Sequence, residues 1–246
     1  MIWVSTAFVI ACMSCIPVGT YTLNFSSPDK NKKKTLGGFL WSHLESPILL
    51  ICIGISSALL SYALSFAGNI SEYNKALLTQ TSGFMAWTLY SISNISLAML
   101  SLCVTFYFSP EAVGGGIADM KVVLSGAVNP SKLSLNLLAA KFTGLALALA
   151  SGLSVGKEGP LVQMTAAVAE QLMLLKSFSN IHQNTSKRLE ILECACASGV
   201  SSTFGAAYGG VLYSIEVTCT TYMARNLPRA YLSSIVAMLV FLGLGG

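Results

Sequence analysis

Residues 152–170 read GLSVGKEGPLVQMTAAVAE, and within them Val155-Gly156-Lys157-Glu158-Gly159-Pro160 is a glycine-rich break that opens an apolar helical pattern. Pro160 suits the first turn of a helix, where its missing N–H is not needed, and the glycines before it leave backbone amides uncovered. Such a helix start carries roughly half a positive charge and turns unpaired N–H groups outward, which makes it an anion site. Upstream, Val113-Gly114-Gly115-Gly116-Ile117-Ala118-Asp119-Met120-Lys121 opens a second apolar run in the same way.

Neither break is a soluble phosphate loop. A Walker A loop needs four residues between its glycines and Ser or Thr after the Lys; here only Leu153, Ser154 and Val155 separate Gly152 from Gly156, and Glu158 follows Lys157. A dinucleotide fingerprint would want Gly where Asp119 stands, with a strand before Gly114.

The composition around these breaks is that of a membrane protein. Of 246 residues 54% are apolar and 10% charged, with a net charge of +4 and a mean hydropathy of +0.68. Soluble domains are about 25% charged, so lipid is the expected solvent, and a disordered tail, a collagen and a nucleic-acid module are excluded. At about 20 residues per span the length allows roughly six to eight membrane segments.

Residues 1–35 form one region, an apolar run Ile2 to Phe25 followed by the cluster Asp29, Lys30, Lys32, Lys33 and Lys34, which the positive-inside rule assigns to the cytoplasm. The run lacks the leading positive charge and the exit site of a signal peptide and is expected to be a signal anchor or an extra membrane helix. From residue 36 on, the expected spans are Phe39 to Phe66, interrupted early by His43, Glu45 and Pro47, then Gly83 to Phe108, without charge, and Leu135 to Val155, containing Lys141. Leu161 to Leu175 is too short to cross, Ser177 to Arg188 reads as a surface loop, Cys194 to Ile215 as an uncharged stretch whose glycines allow close packing or a break between two short helices, and Ala230 to Gly246 as a last helix. Asn69 is the one glycosylation sequon expected in a loop outside the membrane, and the seven cysteines read as small buried residues.

Glu158 needs a reason, because a carboxylate at membrane depth costs about 2.5 to 3.5 kcal/mol on insertion scales. It either caps its helix or pairs with Lys157, or else it is a titratable anion that occupies the place of a permeant anion and acts as a gate. Lys141, on the preceding span, either raises the potential felt by an anion or snorkels to an interface. Glu216 is a second acid at the end of an apolar helix.

Three blocks together resemble the CLC family of chloride channels and anion/proton exchangers, from about Phe39 to Gly246. Gly114-Gly115-Gly116-Ile117-Ala118-Asp119 is similar to the family's GSGIPE, Gly156-Lys157-Glu158-Gly159-Pro160 matches its G(K/R)EGP, and the run from Phe204 to Val217 resembles its third block. Glu216 to Asn226 most resembles the plasma-membrane channel branch of animals. The resemblance implies an all-α integral membrane fold with broken and re-entrant helices, residues 36–246 being the first half of an inverted repeat. It implies Glu158 as gate and Gly114, Gly115, Gly116, Ile117, Gly156, Lys157, Gly159 and Lys141 around the anion. Chloride and other small anions would be the permeant species, without a cofactor, a nucleic acid or enzyme activity, in a bilayer and in a homodimer or with a second half or subunit.

Departures from the family pattern set further expectations. Gly115 stands where the family has an anion-coordinating serine, Ala118 where it has proline and Asp119 where it has glutamate. Val217 stands where many exchangers carry a proton-accepting glutamate, which favours passive conduction, and the resemblance implies a channel of the voltage-gated type. A proton-coupled exchanger and a half-length partner that modulates a full-length channel are the alternatives.

Overall fold

The structure, a computed structural model, describes residues 36–79, 84–126, 130–175, 178–218 and 226–245; the apolar run and lysine cluster of residues 1–35 lie outside them. The chain divides into two compact units, Met1–Pro47 and Ile48–Gly246. In the first, the described residues are helical. In the second, every regular element among the described residues is helical, as the hydropathy pattern requires.

The elements are α1 (Leu36–Thr79), α2 (Phe84–Phe108), a 3-10 turn (Pro110–Ala112), α3 (Ile117–Leu124), a second 3-10 turn (Pro130–Leu133), α4 (Leu135–Ala150), α5 (Glu158–Met173), α6 (Ser179–His182), α7 (Thr185–Phe204), α8 (Ala207–Tyr213), a π-helical turn (Ser214–Thr218) and α9 (Leu227–Gly243). Among the described residues, two stretches are long and apolar enough to cross a bilayer, Glu45–Ala76 and Trp87–Phe108. Almost none of the Trp87–Phe108 stretch is buried inside the protein, and Trp87, Ile92, Ile95 and Phe106 stand on its exposed surface. So large an apolar face belongs against lipid or protein, not water.

The centre of the second unit is α7. Its residues from Glu190 to Ser202 are all buried, and most are Ala, Gly, Ser or Cys, which let neighbouring backbones approach closely. A Cβ on Gly199 would meet Thr165 Oγ1 of α5 at 2.6 Å, and one on Gly210 of α8 would meet the Ala197 carbonyl oxygen at 2.6 Å. Hydroxyls then bond across helices: Ser201 Oγ donates to the Ser234 carbonyl at 2.7 Å, Thr165 Oγ1 to that of Ala195 at 3.1 Å and Ser61 Oγ to that of Ser202 at 3.0 Å. Such bonds average only about 0.6 kcal/mol in membranes, so the close backbone packing carries most of the association.

Several sequence expectations change. Helix α1 extends to Thr79, so Asn69 lies inside a helix rather than in a loop between spans. Helix α4 ends at Ala150, short of Val155, because the chain turns at Gly152 with φ +72°. The polar stretch before α7 is not a free loop: Arg188 binds Glu170 at 2.7 and 2.8 Å, and His182 Nε2 stands 3.1 Å from the same carboxylate. The buried Glu170 at the end of α5 recruits both. Cys194 and Cys196 are buried, whereas Cys52 and Cys103 are exposed on the outer faces of α1 and α2; Cys12, Cys15 and Cys219 lie outside the described residues.

Candidate anion site

The two glycine breaks form the helix starts that the sequence predicts, and the fold sets them against each other. Helix α5 begins at Glu158 with Lys157 as N-cap, and α3 begins at Ile117 with Gly116 as N-cap in the left-handed region. A Cβ on Gly159 would stand 2.6 Å from the Gly115 carbonyl oxygen and 3.3 Å from Ile117 Cδ1. Only a glycine lets the Gly115 backbone rest directly on the first turn of α5.

Neither start carries a side-chain cap, so the first-turn amides keep their bonding capacity. Helices α4 and α7, in contrast, are capped by Ser134 and Asn184. Helices α8 and α9 also begin without a side-chain cap; the missing cap alone marks nothing, and the apposition of α3 and α5 is what singles out this pair. Gly114, Gly115 and Gly156 are exposed while Gly116 and Gly159 are buried, so the loop is open on one side and locked on the other.

Glu158 turns its carboxylate back over the break. Its Oε2 would be 2.5 Å from a Cβ on Gly156, so glycine at 156 leaves the room that the carboxylate takes. The group faces a cavity of about 460 Å³ lined by Leu64, Ser65 and Asn69 of α1 with Leu149, Val155, Lys157 and Glu158. Lys157 does not pair with Glu158. Its ammonium donates to Ser65 Oγ at 2.8 Å and stands 5.7 Å from the centre of the Phe241 ring, so it ties the break to α1 and α9 while keeping its charge on the cavity wall.

Lys141 is buried rather than snorkelling, only 4% exposed. Its ammonium donates to Gln163 Oε1 on α5, beneath Gly116, where an added Cβ would stand 3.1 Å from Nζ. Asp119, in the first turn of α3, pairs instead with Lys132 at 3.1 Å. Glu216 is exposed on the π-helical turn beside the half-buried Val217. Sequence reasoning missed Gln163, Ser65 and Asn69; the one signal available for Gln163 was an amide in the otherwise apolar run that follows Pro160.

The chain is related to known proteins over most of its length. The family described as voltage gated chloride channel matches residues 97–246. Chloride channel protein 2 of Cavia porcellus is 36% identical over 204 residues, which cover 80% of this chain and 22% of that protein. Chloride channel protein F of Dictyostelium discoideum is 36% identical over 198 residues, 77% of this chain and 24% of that one. A crystal structure of a eukaryotic CLC transporter matches with a TM-score of 0.79 at 34% identity, over 82% of this chain and 39% of that chain. Fold and kinship, with stretches long and apolar enough to cross a bilayer, together define an all-helical integral membrane protein. The chain belongs to the voltage gated chloride channel (CLC) family. It spans less than a quarter of the length of the two relatives.

Proposed function

We propose that residues 36–246 form the first half of a passive chloride channel in which Glu158 is the gate, working as a homodimer or with a second half or subunit, in the plasma membrane. The observation that carries the reading is the apposition of two uncapped helix starts through Gly159 and Gly115, with the Glu158 carboxylate folded over Gly156 beside them. A small anion held by the amides of Gly114 to Ile117 and Gly156 to Gly159 would have both dipoles directed at it. Lys141 behind Gly116 and Lys157 on the cavity wall add positive potential. When Glu158 is ionised it competes for the same amides, and when it is protonated or swings away the anion replaces it.

Passive conduction, rather than exchange, is favoured by Val217, which holds no proton. The deciding measurement is chloride efflux from liposomes containing the native full-length polypeptide, with internal pH followed at the same time. A channel dissipates the chloride gradient without moving protons against their own gradient; uphill proton movement would establish an exchanger instead.

Gly115 supplies a further expectation. Gly114 has φ +105° and Gly116 has φ +79°, whereas Gly115 lies outside the left-handed region and a Cβ there meets nothing within 4 Å. Gly115→Ser therefore fits without strain and adds a hydroxyl donor to a backbone-only site. Its net worth of about 0.5–1.5 kcal/mol predicts a severalfold gain in chloride over nitrate permeability, measured from reversal potentials under bi-ionic conditions. Unchanged selectivity would mean that the backbone alone sets the preference.

A further inference from the structure

Beneath the start of α3 Lys141 is paired with Gln163, a residue to which the gating scheme gives no part. Gln163 is fully buried and Lys141 nearly so. The Lys141 ammonium donates to Gln163 Oε1, and Gln163 Nε2 donates to the Lys132 carbonyl at 3.2 Å, just before α4. Chemistry fixes this orientation of the amide, since the flipped form would set NH₂ against an ammonium and an oxygen against a carbonyl oxygen. Gly116 rests on the pair: a Cβ there would stand 2.5 Å from Gln163 Oε1 and 2.9 Å from its Cβ.

A lysine side chain is flexible, and Asp119 and Lys132 are the charged groups that act on Lys141. Asp119 attracts it, although Lys132 already holds that carboxylate at 3.1 Å. Without an acceptor on α5 the ammonium is free to join Asp119, which would cancel its field at the anion. With Gln163 in place, the acceptor is neutral, so the lysine is held without being neutralised. Its charge stays beneath the Gly116 backbone that leads into the α3 start.

We propose that Gln163 is a positioning residue: by holding Lys141 as an uncancelled cation under Gly116, it sets the chloride affinity of the paired helix starts. This rests on the reading of those starts as an anion site. A carboxylate at 163 would keep the shape and cancel the charge, and an apolar side chain would release the lysine.

Chloride binding by isothermal titration calorimetry, on the purified full-length protein in detergent, tests both steps. Gln163→Glu, nearly isosteric and able to pair with Lys141, is expected to weaken chloride binding by about tenfold or more, and Gln163→Met by somewhat less. In a Lys141→Met background, Gln163→Met is expected to have no further effect, because a residue that acts through a partner loses its influence when the partner is gone. A merely structural role predicts the opposite, additive losses that follow thermal stability rather than charge. Chloride binding unchanged in Gln163→Glu, or additivity in the double variant, overturns the assignment. Absence of chloride binding by the unsubstituted protein overturns the anion-site reading itself, and this assignment with it.

Discussion

Glu158→Ala in the native full-length protein is expected to leave anion flux high at neutral pH and to abolish its rise on acidification. The carboxylate sits at the first residue of α5 and folds over Gly156, facing the cavity rather than an ion-pair partner. The charged carboxylate is stabilised by the helix start, and a neutral side chain at this position loses that attraction. Alanine removes the competitor at every pH. Loss of an acid from a helix start costs only about 0.3–1 kcal/mol, so the fold survives. Glu158→Gln separates charge from bulk: a charge gate opens in both variants, whereas a steric plug stays closed in Gln. Whole-cell currents at an external pH of about 5 and about 7.5 distinguish these results, and an acid response retained in Glu158→Ala would remove the gate assignment.

Much of this arrangement was legible in the sequence because it rests on local chemistry. A glycine-rich break before Pro160 dictates a helix start without reference to anything distant, and α5 begins where the break ends. The membrane-spanning helices were expected from long uncharged runs and the all-α fold from the family resemblance, and the glycines around Gly205, with φ +64°, allowed the interruption found there. What was not legible depends on which helices become neighbours. Ser65 and Lys157 are separated by 92 positions and meet only because α1 packs beside the break. Gln163 is a polar residue on an apolar helix, and only the position of α4 makes it the partner of Lys141. Burial of Glu170 near the end of α5 forces it to recruit Arg188 and His182, which turns an expected loop into an anchored turn. The resemblance set Gly115 and Gly159 around one anion, but the direct contact was hidden, since nothing in the sequence places the Gly115 carbonyl against Gly159.

That contact yields the other large effect. Gly159→Ala adds one methyl group where the Gly115 carbonyl oxygen stands 2.6 Å away and Ile117 Cδ1 3.3 Å away. Backbone cannot rotate aside as a side chain can, so the α3 loop and the α5 start must separate by roughly 0.8 Å to reach ordinary contact. Overpacking of this kind costs about 1–3 kcal/mol of stability, which a folded membrane bundle tolerates. The anion site suffers more, because both helix starts must aim at one ion, and a displacement approaching 1 Å can cost about a hundredfold in a preorganised site. Chloride binding in Gly159→Ala is therefore expected to fall far more than the loss of thermal stability would explain. Gly243→Ala, at the end of α9 where an added Cβ meets nothing within 4 Å, is expected to change neither. If instead Gly159→Ala binds chloride as tightly as the unsubstituted protein, the two helix starts do not act on a common ion, and each break would have to be treated as a separate structural feature.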